Sequence, residues 1–148
     1  MDSIKPHGIL RNCMKFLLLA MAAIPAGADA AVVVIVSAKS PITSITAEQT
    51  ARIFLGKTTS FPNDGDALPI DLTEGNAIRN EFYSKVIHKN PSQLAAYWAK
   101  VIFTGIGRPP IELASNEAVR KAVAKNPHAI GYIDKRDVNR SVRVILEP

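Results

Sequence analysis

The sequence VVVIV at residues 32–36 decides the fold class of this chain. An unbroken run of β-branched residues predicts a strand that is buried on both faces, since a strand with one wet face would alternate apolar and polar residues. Strands of this kind belong to sheets that helices cover on both sides. Three further strands are predicted at residues 68–72, 129–133 and 142–146.

Four amphipathic helices are predicted between these strands, each with a polar residue that can cap its first turn. The predicted helix starts are Thr46, Asn76, Asn90 and Ser115. Gly56 and Gly105 follow the first and third helices, where glycine is a common helix stop. The element order β-α-β-α-α-α-β-β predicts one α/β domain with a mixed, mostly parallel sheet flanked by helices.

Residues 1–30 have the three parts of a cleavable secretion signal. The positive charges at its start are Lys5, Arg11 and Lys15. An apolar run follows at residues 16–28, and Ala28-Asp29-Ala30 supplies the small residues that precede a cleavage site. The run is shorter than the roughly 20 apolar residues that cross a bilayer. We therefore expect cleavage near Ala30, a periplasmic location, and a single domain at residues 31–148 with no membrane span.

Loss of this leader would also remove the only cysteine, Cys13. The remaining domain would contain no disulfide, so packing alone would hold it together in an oxidising compartment. The whole chain has a net charge of +5, but its basic residues are scattered and form no dense run beyond Lys135-Arg136. A chain without a dense basic patch is not expected to bind nucleic acid.

No residue pattern in the sequence points to catalysis or to a bound metal. His88 and His128 lack an HxxxH or HxH partner, and beyond the leader no cysteine can join them. The nucleophile motif G-x-S-x-G is absent. Asp64, Asp66 and Asp71 are near enough in sequence to approach one another, but the first two fit ordinary turn chemistry. We predict no catalytic residue, no metal and no cofactor.

Two turns that lead from a strand to a helix are candidates for binding a small anion, because free backbone amides and the positive end of the helix dipole lie there. The first, after strand 32–36, offers Ser37, Lys39 and Ser40. The second, after strand 68–72, offers Gly75, Asn76 and Arg79. Ordinary helix capping accounts for the same residues. The sequence does not decide between binding and capping, or whether the two turns share a pocket.

Four segments of the chain resemble phosphate-type periplasmic substrate-binding proteins. They are IFLGK at 53–57, PIDLTEGNAIRNEFY at 69–83, YWAKVIFTGIGRPP at 97–110 and HAIGYI at 128–133. The third segment is similar to a short, single-domain group described as phosphate ABC transporter substrate-binding-like. Gly75, Arg79 and Phe82 match the spacing of that family's phosphate loop, although Asn76-Ala77-Ile78 replaces its Ser-Gly-Thr.

The resemblance implies a single lobe of a periplasmic-binding-protein-like fold. It implies an exported, non-catalytic protein that binds phosphate or another small anion, weakly or with a second lobe from another chain, and an ABC permease as a partner. The alternative function is a periplasmic protein-interaction or sensory accessory module whose ligand site has decayed. In that alternative, Tyr97, Trp98 and Phe103 would form an exposed apolar patch with Pro109-Pro110, whereas the spacing of Trp98 with Leu94 favours a place in the core.

Overall fold

The computed structural model describes residues 31–62 and 64–148, so the predicted leader lies outside the described residues. The main strands are β1 (Val32–Ser37), β4 (Leu68–Leu72), β5 (Ile111–Leu113), β6 (Ala129–Asp134) and β7 (Val142–Leu146). They form one sheet in the order β5-β4-β6-β1-β7. The short strands β2 (Ser60–Phe61) and β3 (Asp64–Asp66) form a separate hairpin.

Four α-helices connect the strands of the main sheet. They are α1 (Ala47–Phe54), α2 (Ala77–Phe82), α3 (Pro91–Thr104) and α4 (Asn116–Lys125). A π-helical turn at Tyr83–Ile87 continues α2. At the start of each α-helix, the side chain of the predicted cap accepts a hydrogen bond from a backbone N–H of the first turn, which confirms all four predicted starts.

Four of the five strands in the main sheet point in the same direction. β4 pairs in parallel with β5 and β6, whereas β1 is antiparallel to both of its neighbours, β6 and β7. The prediction of a mixed, mostly parallel sheet is therefore confirmed. Every residue of β1 is buried, as its continuous β-branched sequence requires.

Helices cover both faces of the sheet, as two neighbouring residues of β6 show. Successive strand residues face opposite sides of a sheet. A side chain at Gly131 would meet Val119 of α4 at 2.8 Å, so α4 lies against that face. Tyr132 stacks on Phe82 of α2, with 3.9 Å between the ring centroids, and Phe54 of α1 packs against the same pair. The helices α1 and α2 therefore cover the opposite face.

Strand β5 and the hairpin of β2 and β3 were not predicted from the sequence. β5 has three residues and lies at the edge of the sheet, and two of them, Ile111 and Glu112, are exposed. So short a segment shows no period that distinguishes a strand from a loop. Strand β5 matters because it forms one wall of the candidate ligand-binding site.

None of the helices within residues 31–62 and 64–148 combines the length and the apolar character needed to cross a bilayer.

Candidate ligand-binding site

A buried carboxylate, Asp71, lies near the carboxyl end of β4. It is 1% exposed, although Ile70 and Leu72 on either side of it are the apolar residues expected in a buried strand. The hydroxyl of Tyr83 donates a hydrogen bond to Asp71 Oδ2 at 2.6 Å. Asp71 Oδ1 accepts from the hydroxyl of Tyr132 and from the backbone N–H of Leu72. These donors offset the cost of removing a charged group from water.

Arg79 faces this carboxylate from α2. Its Nε lies 3.5 Å from Asp71 Oδ1, and one of its terminal nitrogens lies 3.3 Å from Glu112 Oε1. The guanidinium carbon is 5.3 Å from the ring centroid of Tyr83. The Arg79 side chain is 11% exposed, and its buried Nε has no hydrogen-bond partner among the described residues. Both ion pairs are longer than the usual 2.7–2.9 Å of a charge-assisted hydrogen bond, so the guanidinium is incompletely satisfied.

The sheet brings the two carboxylates around Arg79 together. β4 and β5 run in parallel with Asp71 opposite Glu112, so both side chains point to the same face. Glu112 remains 45% exposed because β5 is the edge strand, whereas Asp71 is closed off by the helices. Arg79 therefore lies between one buried and one half-exposed negative charge.

The two tyrosines of this cluster are held as neutral donors. Burial and the negative charge of Asp71 raise the pKa of Tyr83 and of Tyr132 well above the usual value for a phenol. Burial by itself would lower the pKa of Arg79, but interactions with Asp71, Tyr83, Tyr132 and Glu112 together outweigh that effect and the pKa is raised. The site thus presents a permanent cation beside hydroxyl groups that stay protonated.

A cavity of about 560 Å³ opens over this cluster, at the carboxyl ends of β4 and β5. Open α/β sheets bind ligands at the carboxyl ends of their strands. Its charged and titratable lining residues are Asp71, Glu74, Arg79, Tyr83, His88, Lys89 and Glu112. The polar residues Asn80, Ser84 and Asn90 also line it, and an apolar wall comes from Pro91, Leu94, Ala95, Trp98, Pro109 and Pro110. The cavity therefore combines a charged floor with an apolar wall.

The first predicted anion turn lies at the other end of the sheet. Ser37 ends β1, which runs against β4, so Ser37 lies beside the first residue of β7 and far from the carboxyl end of β4. The Ser37 hydroxyl donates to the carbonyl of Ala124 at 3.1 Å. The Ser40 hydroxyl accepts from the backbone N–H of Ile42, and both serines are buried.

The arrangement of this turn separates it from the second one. Lys39 is exposed, and its backbone N–H donates to the Ser37 hydroxyl. The bonds from Lys39 N–H to Ser37 and from Ile42 N–H to Ser40 close the turn on itself, and the Ser37 hydroxyl is further engaged by Ala124 of α4. The two predicted turns do not share a pocket.

The second predicted anion turn borders the cavity through Arg79. Gly75 has a φ of +86°, a left-handed conformation that glycine adopts without strain. The Asn76 side chain accepts from the backbone N–H of Ile78 at 2.9 Å and so caps α2. Gly75 and Asn76 lie in the chain between Glu74 and Arg79, both of which line the cavity. Among the predicted site residues, Arg79 alone lines this cavity.

Asp71, Tyr83, Tyr132 and Glu112 are the site residues that sequence reasoning missed. One signal was present: Asp71 interrupts the apolar strand sequence LPIDL, and a charge inside a buried strand needs partners. The identity of those partners depends on long-range packing, since Tyr132 is 61 residues away. No local period reveals such a contact.

Within residues 31–62 and 64–148, no group of three or more His, Cys, Asp and Glu side chains is arranged to hold a metal ion. Two of the carboxylates around the cavity, Asp71 and Glu112, instead form ion pairs with Arg79.

Solved structures of phosphate-binding proteins share this fold. The chain is similar to a phosphate ABC transporter substrate-binding protein from Clostridium perfringens with bound phosphate, at a TM-score of 0.61 and 21% identity, over 78% of this chain and 44% of that one. An ABC-type phosphate transport receptor from Vibrio cholerae matches at a TM-score of 0.60 and 21% identity, over 78% of this chain and 45% of that one. PstS from Borrelia burgdorferi matches at a TM-score of 0.58 and 20% identity, over 78% of this chain and 46% of that one. No protein-family model matches the sequence, and no curated protein matches it either.

These similarities show that the described domain shares the fold of part of each of these phosphate-binding proteins. The chain spans less than half the length of each of these structures.

Proposed function

We propose that this chain is an exported, non-catalytic solute-binding-like protein that holds the acidic group of a small ligand at Arg79. The observation that carries the proposal is the state of this guanidinium, which lines a cavity, is 11% exposed and, among the residues that the structure describes, makes two ion pairs that are both long. An anionic oxygen in the cavity would give it the short hydrogen bonds that it lacks. The fold shared with phosphate-binding proteins supports the same function.

Binding to this lobe alone is expected to be weak. Asp71 and Glu112 already neutralise Arg79, so an added anion competes with two carboxylates. The cavity is formed by one lobe, and a second lobe from another chain would exclude water from the ligand and strengthen each polar contact. We propose such a second lobe from another chain and, as a separate partner, an ABC permease or another periplasmic protein.

The proposed site centres on Arg79, with the Gly75-Asn76 turn beside it in the chain. Ser37, Lys39 and Ser40 are not included, because they lie at the opposite end of the sheet and are engaged in their own turn. Phosphate, sulfate and small carboxylates are the ligands that fit a single guanidinium.

Isothermal titration with phosphate, sulfate and acetate tests this proposal. We expect millimolar binding to the wild type, loss of at least about tenfold in affinity for Arg79→Gln, and partial retention for Arg79→Lys, which keeps the charge but not the fork of donors. Lys39→Gln is the matched control, because it removes a cation at the other end of the sheet. Binding that is as strong in Arg79→Gln as in the wild type, or no heat and no thermal shift with these anions or with an organic molecule that carries an acidic group, would contradict the proposal.

Export is tested separately by sequencing the amino terminus of the protein recovered from the periplasmic fraction. We propose cleavage after Ala30, which predicts a first residue of Ala31 and a domain of residues 31–148. Recovery of the intact chain with the membrane would contradict cleavage of the leader.

A second candidate function, a protein-interaction module, is favoured by one surface. Ile102, Phe103 and Ile106 at the end of α3 are 58%, 93% and 80% exposed, which is unusual for large apolar side chains. We name these three residues the α3 tip. Trp98 is 8% exposed, so it lies in the core and does not contribute to an exposed patch as the alternative hypothesis required.

The charges around the α3 tip indicate what kind of partner it would fit. The chain has no acidic residue from position 82 to position 111, whereas Lys100 and Arg108 flank the tip. We propose an exported protein with an apolar pocket bordered by carboxylates. A second copy of this chain fits poorly, because it would bring like charges together.

Retention of periplasmic proteins on the immobilised chain tests this second candidate. A specific partner should be released by moderate salt and lost on the double substitution Phe103→Ser and Ile106→Ser. Leu68→Ser, at a residue that is 38% exposed on β4, is the control. Equal retention of the same proteins by the double variant and the wild type would contradict a role for the α3 tip.

A further inference from the structure

The size of the cavity does not match a tetrahedral oxyanion. At about 560 Å³ it falls within the roughly 300–1,000 Å³ range of sites that enclose small organic molecules. An inorganic anion at Arg79 would leave most of this space to water. The ligand that fills the cavity must therefore have an organic body.

The charges of the cavity do not favour an anion either. Its lining includes the three carboxylates of Asp71, Glu74 and Glu112 and the two basic side chains of Arg79 and Lys89. The carboxylates therefore outnumber these basic groups by one before any ligand enters. A phosphate dianion would add to that excess inside a partly desolvated site, where like charges repel strongly.

The carboxylates differ in whether they can accept a ligand's cation. Asp71 already accepts hydrogen bonds from two tyrosines and a backbone N–H, and so has little capacity left. Glu112 is 45% exposed and contacts Arg79 through Oε1, and Glu74 is exposed at the same cavity. Glu112 and Glu74 are therefore the groups available to bind an ammonium.

The apolar lining of the cavity comes from α3 and from the connection to β5. Leu94 and Trp98 come from one face of α3, four residues apart, and Pro109 and Pro110 come from the connection to β5. The Trp98 ring also packs near the backbone of Gly56, where an added Cβ would lie 3.4 Å from Trp98 Cη2. A rigid indole and two prolines form a fixed surface for an apolar group.

From these features we infer that the ligand is a small zwitterionic organic molecule with an apolar body, and not inorganic phosphate. Its acidic group binds Arg79, its ammonium binds Glu112 or Glu74, and its apolar part packs on Trp98 and the prolines. This inference rests on the proposed function, because it uses the same guanidinium, and it names the class of ligand.

Four related probes separate the contributions of the three parts of such a ligand. L-phenylalanine has all three; 3-phenylpropionate lacks the ammonium, phenethylamine lacks the carboxylate, and phosphate lacks both the ammonium and the apolar body. We expect phenylalanine to bind at least about tenfold more tightly than each of the others, since each of them lacks at least one charged or apolar contact. Titration calorimetry on the full protein measures the four affinities.

The double substitution Glu74→Gln and Glu112→Gln tests the carboxylates directly. It should weaken phenylalanine binding by about tenfold and leave 3-phenylpropionate binding unchanged or tighter, because the variant removes the ammonium's partners and two charges that repel an anion. Glu117→Gln is the control, since Glu117 lies on α4 at the opposite face of the sheet and pairs with Lys121. Circular dichroism checks that each variant is folded.

The outcomes distinguish the class of ligand from the proposed function. The inferred zwitterionic ligand class is wrong if 3-phenylpropionate or phosphate binds as tightly as phenylalanine, or if the double variant binds phenylalanine as well as the wild type does. Binding of an acidic group at the site would still stand in either case. If none of the four probes binds, both the ligand class and the proposed function are wrong.

Discussion

At the scale of single residues, the buried carboxylate of Asp71 determines how the cavity floor is built. Two tyrosines, a backbone amide and an arginine converge on it from β4, α2, the π-helical turn and β6. A carboxylate without these groups would be too costly to bury. The cluster therefore links the position of Arg79, which we propose as the ligand-binding group, to the stability of the core.

Loss of one tyrosine hydroxyl should show this link. Tyr132→Phe removes a donor to Asp71 and leaves a buried charge less satisfied, so we expect the free energy of unfolding to fall by about 1–3 kcal/mol. Urea denaturation followed by circular dichroism measures the change. Tyr97→Phe is the control, because its hydroxyl donates to the carbonyl of Leu55 at a partly exposed position, and we expect a loss of about 1 kcal/mol or less. Equal losses for the two variants would argue against a special role for Asp71.

At the scale of elements, the packing of α4 on β6 depends on the absence of a side chain at Gly131. A Cβ there would lie 2.8 Å from Val119 Cγ1 and 2.9 Å from Val123 Cγ2, closer than such atoms approach in folded proteins. Gly131 therefore permits the close contact between helix and sheet that buries both valines.

Gly131→Ala should force α4 away from the sheet. We expect the free energy of unfolding to fall by about 1–3 kcal/mol, the usual cost of overpacking a core. The control is Gly65→Ala, where an added Cβ would approach His128 only to 3.6 Å. A thermal midpoint for Gly131→Ala that equals that of the control would show that α4 does not pack tightly against Gly131.

The elements also show what the sequence could and could not predict. Helix starts were predictable because caps such as Thr46 and Asn90 act through contacts three residues away. Strand β1 was predictable because burial on both faces leaves a continuous apolar run. The pairing of Asp71 with Glu112 was not, because it depends on the register between β4 and a three-residue edge strand. The candidate site lies where these long-range pairings meet, so the sequence located only Arg79 on its lining.

At the scale of the whole molecule, the free energy of unfolding should depend on pH through Asp134 at the end of β6. Its side chain accepts hydrogen bonds from the backbone and side chain of Arg136, and these bonds hold the pKa of Asp134 below its usual value. A carboxyl group whose pKa is lowered on folding contributes stability above its unfolded pKa of about 3.9 and loses that contribution as pH falls through the folded value.

Asp134→Asn should therefore destabilise the protein near neutral pH, by about 1 kcal/mol, and the difference from the wild type should shrink below about pH 4. Chemical denaturation at a series of pH values measures this. Asp66→Asn, at an exposed residue of β3, is the control and should leave the pH profile unchanged. A difference for Asp134→Asn that stays constant down to pH 2 would mean that its hydrogen bonds do not favour the charged carboxylate.

We expect the acidic group of the ligand to bind at Arg79 and not at the Ser37–Ser40 turn. An NMR titration of the ¹⁵N-labelled protein with phosphate, acetate and phenylalanine tests it most directly, because the Nε–H of Arg79 and the backbone amides of both turns report separately. We predict that the ligand shifts the Arg79 Nε–H and the amides of residues 74–80 and leaves those of residues 37–40 unchanged. Shifts confined to residues 37–40, or no shifts with any of the three ligands, would contradict binding of the acidic group at Arg79.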